Sequence, residues 1–125
     1  MTPEMERLNW MPSPSLVPDD TAIDMQHLGR MTLGEPALEI EVLALFAAQS
    51  CDLALRLASM PPDAAVLAHT LKGSARAIGA FRVADAALGL ETAMKSGGDV
   101  TRAVVQLQNA VEEARLEIDR MLNRS

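Results

Sequence analysis

The sequence predicts an all-α domain, an antiparallel up-down-up-down four-helix bundle with a short additional N-terminal helix. Three observations carry that prediction. Ala, Leu, Met and Glu are abundant, strand-favouring residues are scarce, and the aromatics are limited to Trp10, Phe46 and Phe81. Apolar residues recur at three- and four-residue steps over long stretches. Proline and glycine separate those stretches at short intervals, so consecutive helices are joined by tight turns and run antiparallel. With 125 residues there is room for one such domain, large enough to bury a real core.

The elements follow in order. Residues 1–18 hold Pro3, Pro12, Pro14 and Pro18 without sustained periodicity, and read as a flexible Pro-rich tail ahead of a bundle over 19–125. Asp19, Asp20 and Thr21 offer capping side chains for a short helix over about 21–30. Gly34 breaks the chain, and Pro36 suits the first position of a long helix reaching about residue 59. Its predicted stripe is Leu38, Val42, Leu45, Phe46, Leu53 and Leu57. Pro61 and Pro62 end that helix and start the next, which runs over about 62–78 until Gly79 stops it. A fourth spans about 81–95, closed by Ser96, Gly97 and Gly98. Asp99 caps the last, over about 100–122, with Val104, Leu107, Val111, Leu116, Ile118 and Met121 as its apolar positions.

Charge and composition exclude several functions. The formal net charge is −6, which disfavours generic binding to the phosphates of a nucleic acid. The few aromatics provide no stacking platform for single strands. Cys51 is the only cysteine, so an intramolecular disulfide and zinc clusters built on several thiolates are ruled out. No basic stretch followed by an apolar run marks a signal peptide, and no run approaches the roughly 20 apolar residues that span a bilayer. A cytoplasmic protein without membrane contact is therefore expected. Neither a Gly-rich phosphate loop, a Ser-His-Asp set nor a pair of catalytic carboxylates can be assembled.

The chemistry concentrates on the third predicted helix. At about 100° per residue, Leu67, Leu71, Ala75 and Ile78 fall on one side and form its core stripe. His69 points roughly 160° away from Leu71, towards solvent. Ala65, His69, Lys72, Gly73 and Arg76 make up the exposed stripe. A glycine within an exposed helix costs about 1 kcal/mol relative to alanine. Gly73 stands one turn after His69, where a larger side chain would lean back over the imidazole. It leaves the ring open to a partner, and Lys72 and Arg76 bring positive charge near it. No carboxylate partner for the ring is visible in the sequence. An accessible neutral imidazole is nucleophilic near neutral pH and can hold a phosphoryl group, whose charge Lys72 would balance with Arg76 as a secondary cation.

The run His69-Thr70-Leu71-Lys72-Gly73-Ser74-Ala75, followed by Ile78-Gly79-Ala80, resembles the H-x-L-K-G-S-A…G-A signature of histidine phosphotransfer (HPt) domains of bacterial phosphorelays. Ile23-Asp24 upstream and Leu90-Glu91 downstream also match residues of that family. The resemblance implies a four-helix bundle with the phospho-accepting histidine, His69, on the second bundle helix and phosphorylated at Nε2. It implies that Lys72 interacts with the phosphoryl group and that Gly73 permits close docking. The implied partners are response-regulator receiver domains and a hybrid histidine kinase, met by a monomeric carrier. The implied carrier is not an enzyme and has no cofactor of its own, because the receiver brings the magnesium and most catalytic groups. No ATP-binding kinase domain accompanies the bundle, so a standalone carrier is implied. An apolar docking patch around His69 is expected from the short helix and its neighbour, with Leu28, Met31 and Leu33 as contributors.

Two other readings compete. A helical adaptor would bind a receiver or kinase without carrying phosphate, and would have no need of the histidine or its open neighbour. A helix-turn-helix DNA binder would use the Gly79 turn, but no basic helix follows it. His27 reads as a packing or surface residue, Ser74 as a helix-packing residue, Arg82 as surface charge and Cys51 as a small core or boundary residue.

Overall fold

Among the described residues, the first helical turn is set by Asp24. Its carboxylate Oδ1 accepts hydrogen bonds from the backbone N–H groups of Gln26 (3.0 Å) and His27 (3.1 Å), the geometry of a helix N-cap. Helix α1 therefore spans Met25–Met31 and begins four residues later than the sequence predicts. The computed structural model describes residues 21–123. The predicted tail and the capping candidates Asp19 and Asp20 lie outside the described residues.

Pro36 opens α2 (Pro36–Ala58), as its fixed φ and missing N–H allow. Helix α3 (Ala64–Ile78) ends at Gly79, which adopts the left-handed conformation with φ 89°. The α3–α4 turn is short, and α4 (Phe81–Ser96) starts two residues later. Asp99 Oδ1 accepts from the backbone N–H of Arg102 (3.0 Å) at the start of α5 (Val100–Asn123). Apart from the start of α1, the predicted helices agree with the observed ones to within two residues.

The four long helices close a ring in which α2 packs on α3, α3 on α4, α4 on α5 and α5 on α2. Helix α1 packs across the end of α3. Short turns between ring neighbours give the antiparallel bundle that the sequence predicts. Leu57, Leu71, Leu90, Leu107 and Ile118 are fully buried at its centre. Burying each such side chain is worth about 1.5–3 kcal/mol. Alanine is prominent among the residues buried on α3, on α4 and in the turn between them: Ala64, Ala68, Ala75, Ala80, Ala84 and Ala87. Among the described residues, no strand is present, and no helix is long and apolar enough to cross a membrane.

Three predicted core positions face outward instead. Leu45 is 66% exposed, and Leu38 and Leu116 are also exposed. For Leu38 and Leu45 the reason lies in α2 itself, which is apolar around most of its circumference near these positions. Periodicity then fails to single out the inward face, and Leu43 joins the predicted Phe46 in the core. Leu28, expected on a docking patch, is fully buried, whereas Met31 and Leu33 are exposed. Leu28 sits on the face of α1 that the Asp24 cap and the contact with α3 turn inward.

Candidate functional site

Helix α3 buries Ala64, Ala68, Leu71, Ala75 and Ile78. That orientation exposes Ala65, His69, Gly73 and Arg76, as predicted. The His69 side chain is 71% exposed. A Cβ added at Gly73 would meet nothing within 4 Å, so the space beside the ring is open. Arg76 is exposed and forms no ion pair among the described residues.

The ring is not unpartnered, which corrects the sequence reading. Its Nδ1 lies 3.1 Å from Oε2 of Glu91, on α4. Glu91 belongs to the inward face of α4, with Val83, Ala84, Ala87 and Leu90, and its side chain is only 10% exposed. Helices α3 and α4 pack on each other and both bury small alanine side chains, which lets a glutamate reach across to the neighbouring helix. Lys72 also departs from the simple picture of a free cation. Its ammonium lies 2.7 Å from Glu91 Oε1, and its side chain is 14% exposed. The approach to this buried oxygen is that of an ion pair rather than an aligned hydrogen bond.

The electrostatics follow from this arrangement. Burial alone would push the Glu91 carboxyl up, but its contacts with Lys72 and His69 overcome that and hold it below the ordinary carboxylate range. Glu91 is thus ionised at neutral pH and can only accept from the neutral ring, so Nδ1 must donate. The second nitrogen, Nε2, keeps its lone pair and has no hydrogen-bond partner among the described residues. The arrangement presents one nucleophilic nitrogen outward, fixes the tautomer from below, and stores a cation one turn away.

A depressed carboxyl also makes a prediction about acid. A group whose folded-state value is lowered adds stability that is complete above its unfolded value, near 4.3, and lost as pH falls through the folded value. In urea titrations, wild type should therefore lose stability relative to Glu91→Gln as pH falls from about 6 towards 3. Parallel stability curves over that range would show that the ion pair contributes nothing to the linkage.

The remaining candidates have structural explanations. His27 Nε2 lies 3.1 Å from the backbone oxygen of Ala77, and its ring meets Phe81 edge-on at 5.2 Å. Arg82 is paired with Glu113 on α5 (3.1 Å). Ser74 is half-buried in a groove between α2 and α3. Cys51 is half-buried, and burial pushes its thiol up, as befits a boundary residue. No group of three or more potential metal ligands occurs among the described residues.

A family model for the Hpt domain matches residues 41–124, a span that takes in α3, α4 and the whole His69–Lys72–Glu91 cluster. The crystal structure of the histidine phosphotransferase ShpA from Caulobacter crescentus is similar, with a TM-score of 0.67 and 28% sequence identity. That match covers 82% of this chain and 92% of ShpA. No curated protein matches the sequence. On the family match, supported by the helical ring and its outward-facing histidine, the chain belongs to the Hpt domain family, the phosphocarrier modules of two-component phosphorelays.

Proposed function

We propose that this protein carries a phosphoryl group on Nε2 of His69, taking it from the aspartate of one receiver domain and giving it to another. The observation that carries the proposal is the pairing of Nδ1 with Glu91 while Nε2 stands uncovered beside Gly73. One nitrogen is committed to the protein and the other is offered to a partner. Lys72 is the nearest cation, and swings from Glu91 towards the phosphoryl group once that group is in place. Arg76 supplies a second positive charge at the rim. The carrier works as a cytoplasmic monomer and brings no metal of its own; magnesium and the groups that activate the aspartate belong to the receiver. A hybrid histidine kinase is the upstream source of phosphate.

The receiver docks over α1 and the flanking part of α2. Met31 and Leu33 face outward there, Leu33 being 85% exposed with a left-handed φ of 54°. Leu38 and Leu45 of α2 add further exposed apolar surface.

The test is to mix the protein with radiolabelled, phosphorylated receiver domains and follow the label. Acid-labile, base-stable phosphate on the carrier is expected. A stable complex with no labelling would favour the adaptor reading instead, and neither complex nor label with any receiver of the source organism would overturn both. Gly73→Leu gives a sharper check, because its two effects have opposite signs. The variant should gain roughly 0.5–1 kcal/mol of stability from helix propensity. Its transfer rate should fall at least about tenfold, since the side chain obstructs close approach of the donor. Undiminished transfer would remove Gly73 from the site.

A further inference from the structure

The glutamate beneath the ring has a consequence for the phosphorylated state, resting on the carrier reading above. A phosphoryl group on Nε2 occupies that nitrogen's lone pair. Nδ1 then holds either a proton or a bare lone pair. A bare lone pair would face the Glu91 Oε2 at about the observed 3.1 Å, acceptor against acceptor. A proton between them instead makes a charge-assisted hydrogen bond from an imidazolium to a carboxylate. We propose that Glu91 keeps a proton on Nδ1 of His69 throughout the transfer cycle, so that the ring always departs as neutral imidazole and never as imidazolate.

The step balances without moving that proton. A carboxylate oxygen of the receiving aspartate attacks phosphorus and the O–P bond forms. The Nε2–P bond breaks, and its electron pair returns to Nε2. The product is neutral His69 with Nδ1 still donating to Glu91, the tautomer that an ionised Glu91 imposes on the unphosphorylated protein. Run backwards, the same tautomer attacks through Nε2 and becomes the phosphoimidazolium. Glu91 acts here as a positioning residue, holding a proton rather than touching the reacting phosphorus.

The surrounding charges leave this role to Glu91. Lys72 on α3 offsets part of its charge through Oε1. Arg76, further along α3, and Lys95, one turn beyond Glu91 on α4, are exposed and form no ion pair with the ring. Of the other helices packed on α3, α1 brings His27, held by the Ala77 oxygen, and the exposed Arg30. Helix α2 brings Asp52 and Arg56, which pair with each other at 3.2 Å.

Charging the intact protein with phosphoramidate and following phospho-His69 by nitrogen-15 NMR tests this directly. In wild type, Nδ1 of the phosphorylated ring should deprotonate at least about one pH unit higher than in Glu91→Gln, a tenfold or greater difference in proton affinity. The glutamine amide can turn its NH2 towards a bare Nδ1, which a carboxylate cannot do. Loss of phosphate to water should shift along the pH axis in parallel, because the protonated ring is the better leaving group. Lys72→Met should move the midpoint in the opposite direction, upward, by removing the charge that competes for Glu91. Coincident midpoints in wild type and Glu91→Gln, with helicity unchanged, would overturn the inference and leave the carrier reading standing. Absence of any phosphohistidine at position 69 in wild type would overturn the carrier reading, and this inference with it.

Discussion

His69→Gln should accept no phosphoryl group at all from a phosphorylated receiver, while its far-ultraviolet circular dichroism and unfolding midpoint stay close to those of wild type. The functional loss is complete because a glutamine amide nitrogen has no available lone pair with which to attack phosphorus. The structural cost is small because the side chain is largely in water and makes one hydrogen bond, to Glu91. Glutamine can still donate an N–H in that direction, which limits the damage to the Lys72–Glu91 pair. Residual labelling of His69→Gln that is acid-labile and base-stable would move the accepting nitrogen elsewhere, with His27 as the obvious alternative. Its Nε2 is committed to the Ala77 oxygen, so the structure argues against it.

The largest effect on stability is expected at the α3–α4 turn. Gly79 has φ 89°, and a Cβ there would lie 2.9 Å from the backbone oxygen of Asp24. The Gly79 carbonyl oxygen also accepts the Asp24 N–H at 2.9 Å, so the backbone cannot simply withdraw. Gly79→Val therefore meets a left-handed backbone that a β-branched residue resists, together with a clash against main chain. We expect a loss of about 2–4 kcal/mol, or roughly 10–20 °C in the unfolding midpoint. Gly97 is the internal control. It has φ 73° but nothing within 4 Å of an added Cβ, so Gly97→Ala should cost about 1 kcal/mol from conformation alone. If Gly79→Ala proves no worse than Gly97→Ala, the close approach of Asp24 is not a constraint. Hydrogen exchange would show where the loss is felt. The amides of α1 should open first, because Asp24 and His27 are its hydrogen-bonded ties to the α3–α4 region.

The helices were legible because their boundaries are chemical. Pro36, Gly79, Gly97 and Asp99 each act where the sequence places them, since fixed φ, positive φ and a capping oxygen are local properties. The start of α1 was harder to read, because several neighbouring residues could cap and only the tie between Asp24 and Gly79 selects one. The inward face of α2 was ambiguous for the related reason that leucines surround it. At the site, the exposure of His69 and Gly73 follows from the α3 period alone. The partner of His69 does not, because it depends on which residue of α4 comes level with it across the bundle. A signal was nevertheless present. Glu91 occupies a core-facing register beside Leu90, and a carboxylate is seldom placed there without a cation or a donor to meet it. Counting back from the Gly79 turn along both helices brings it level with His69.

The alanines between α3 and α4 act as a spacer gauge for the chemistry above them. Ala68, Ala84 and Ala87 are fully buried on two helices that pack on each other, and small side chains at such a seam let helix axes approach closely enough for a single glutamate to reach across. A bulkier side chain wedged in at the buried Ala87, one turn before Glu91 on α4, would lever the helices apart and pull the carboxylate off the imidazole. Drift in the carrier's proton chemistry could in this way arise from packing changes that no inspection of the reactive surface would reveal.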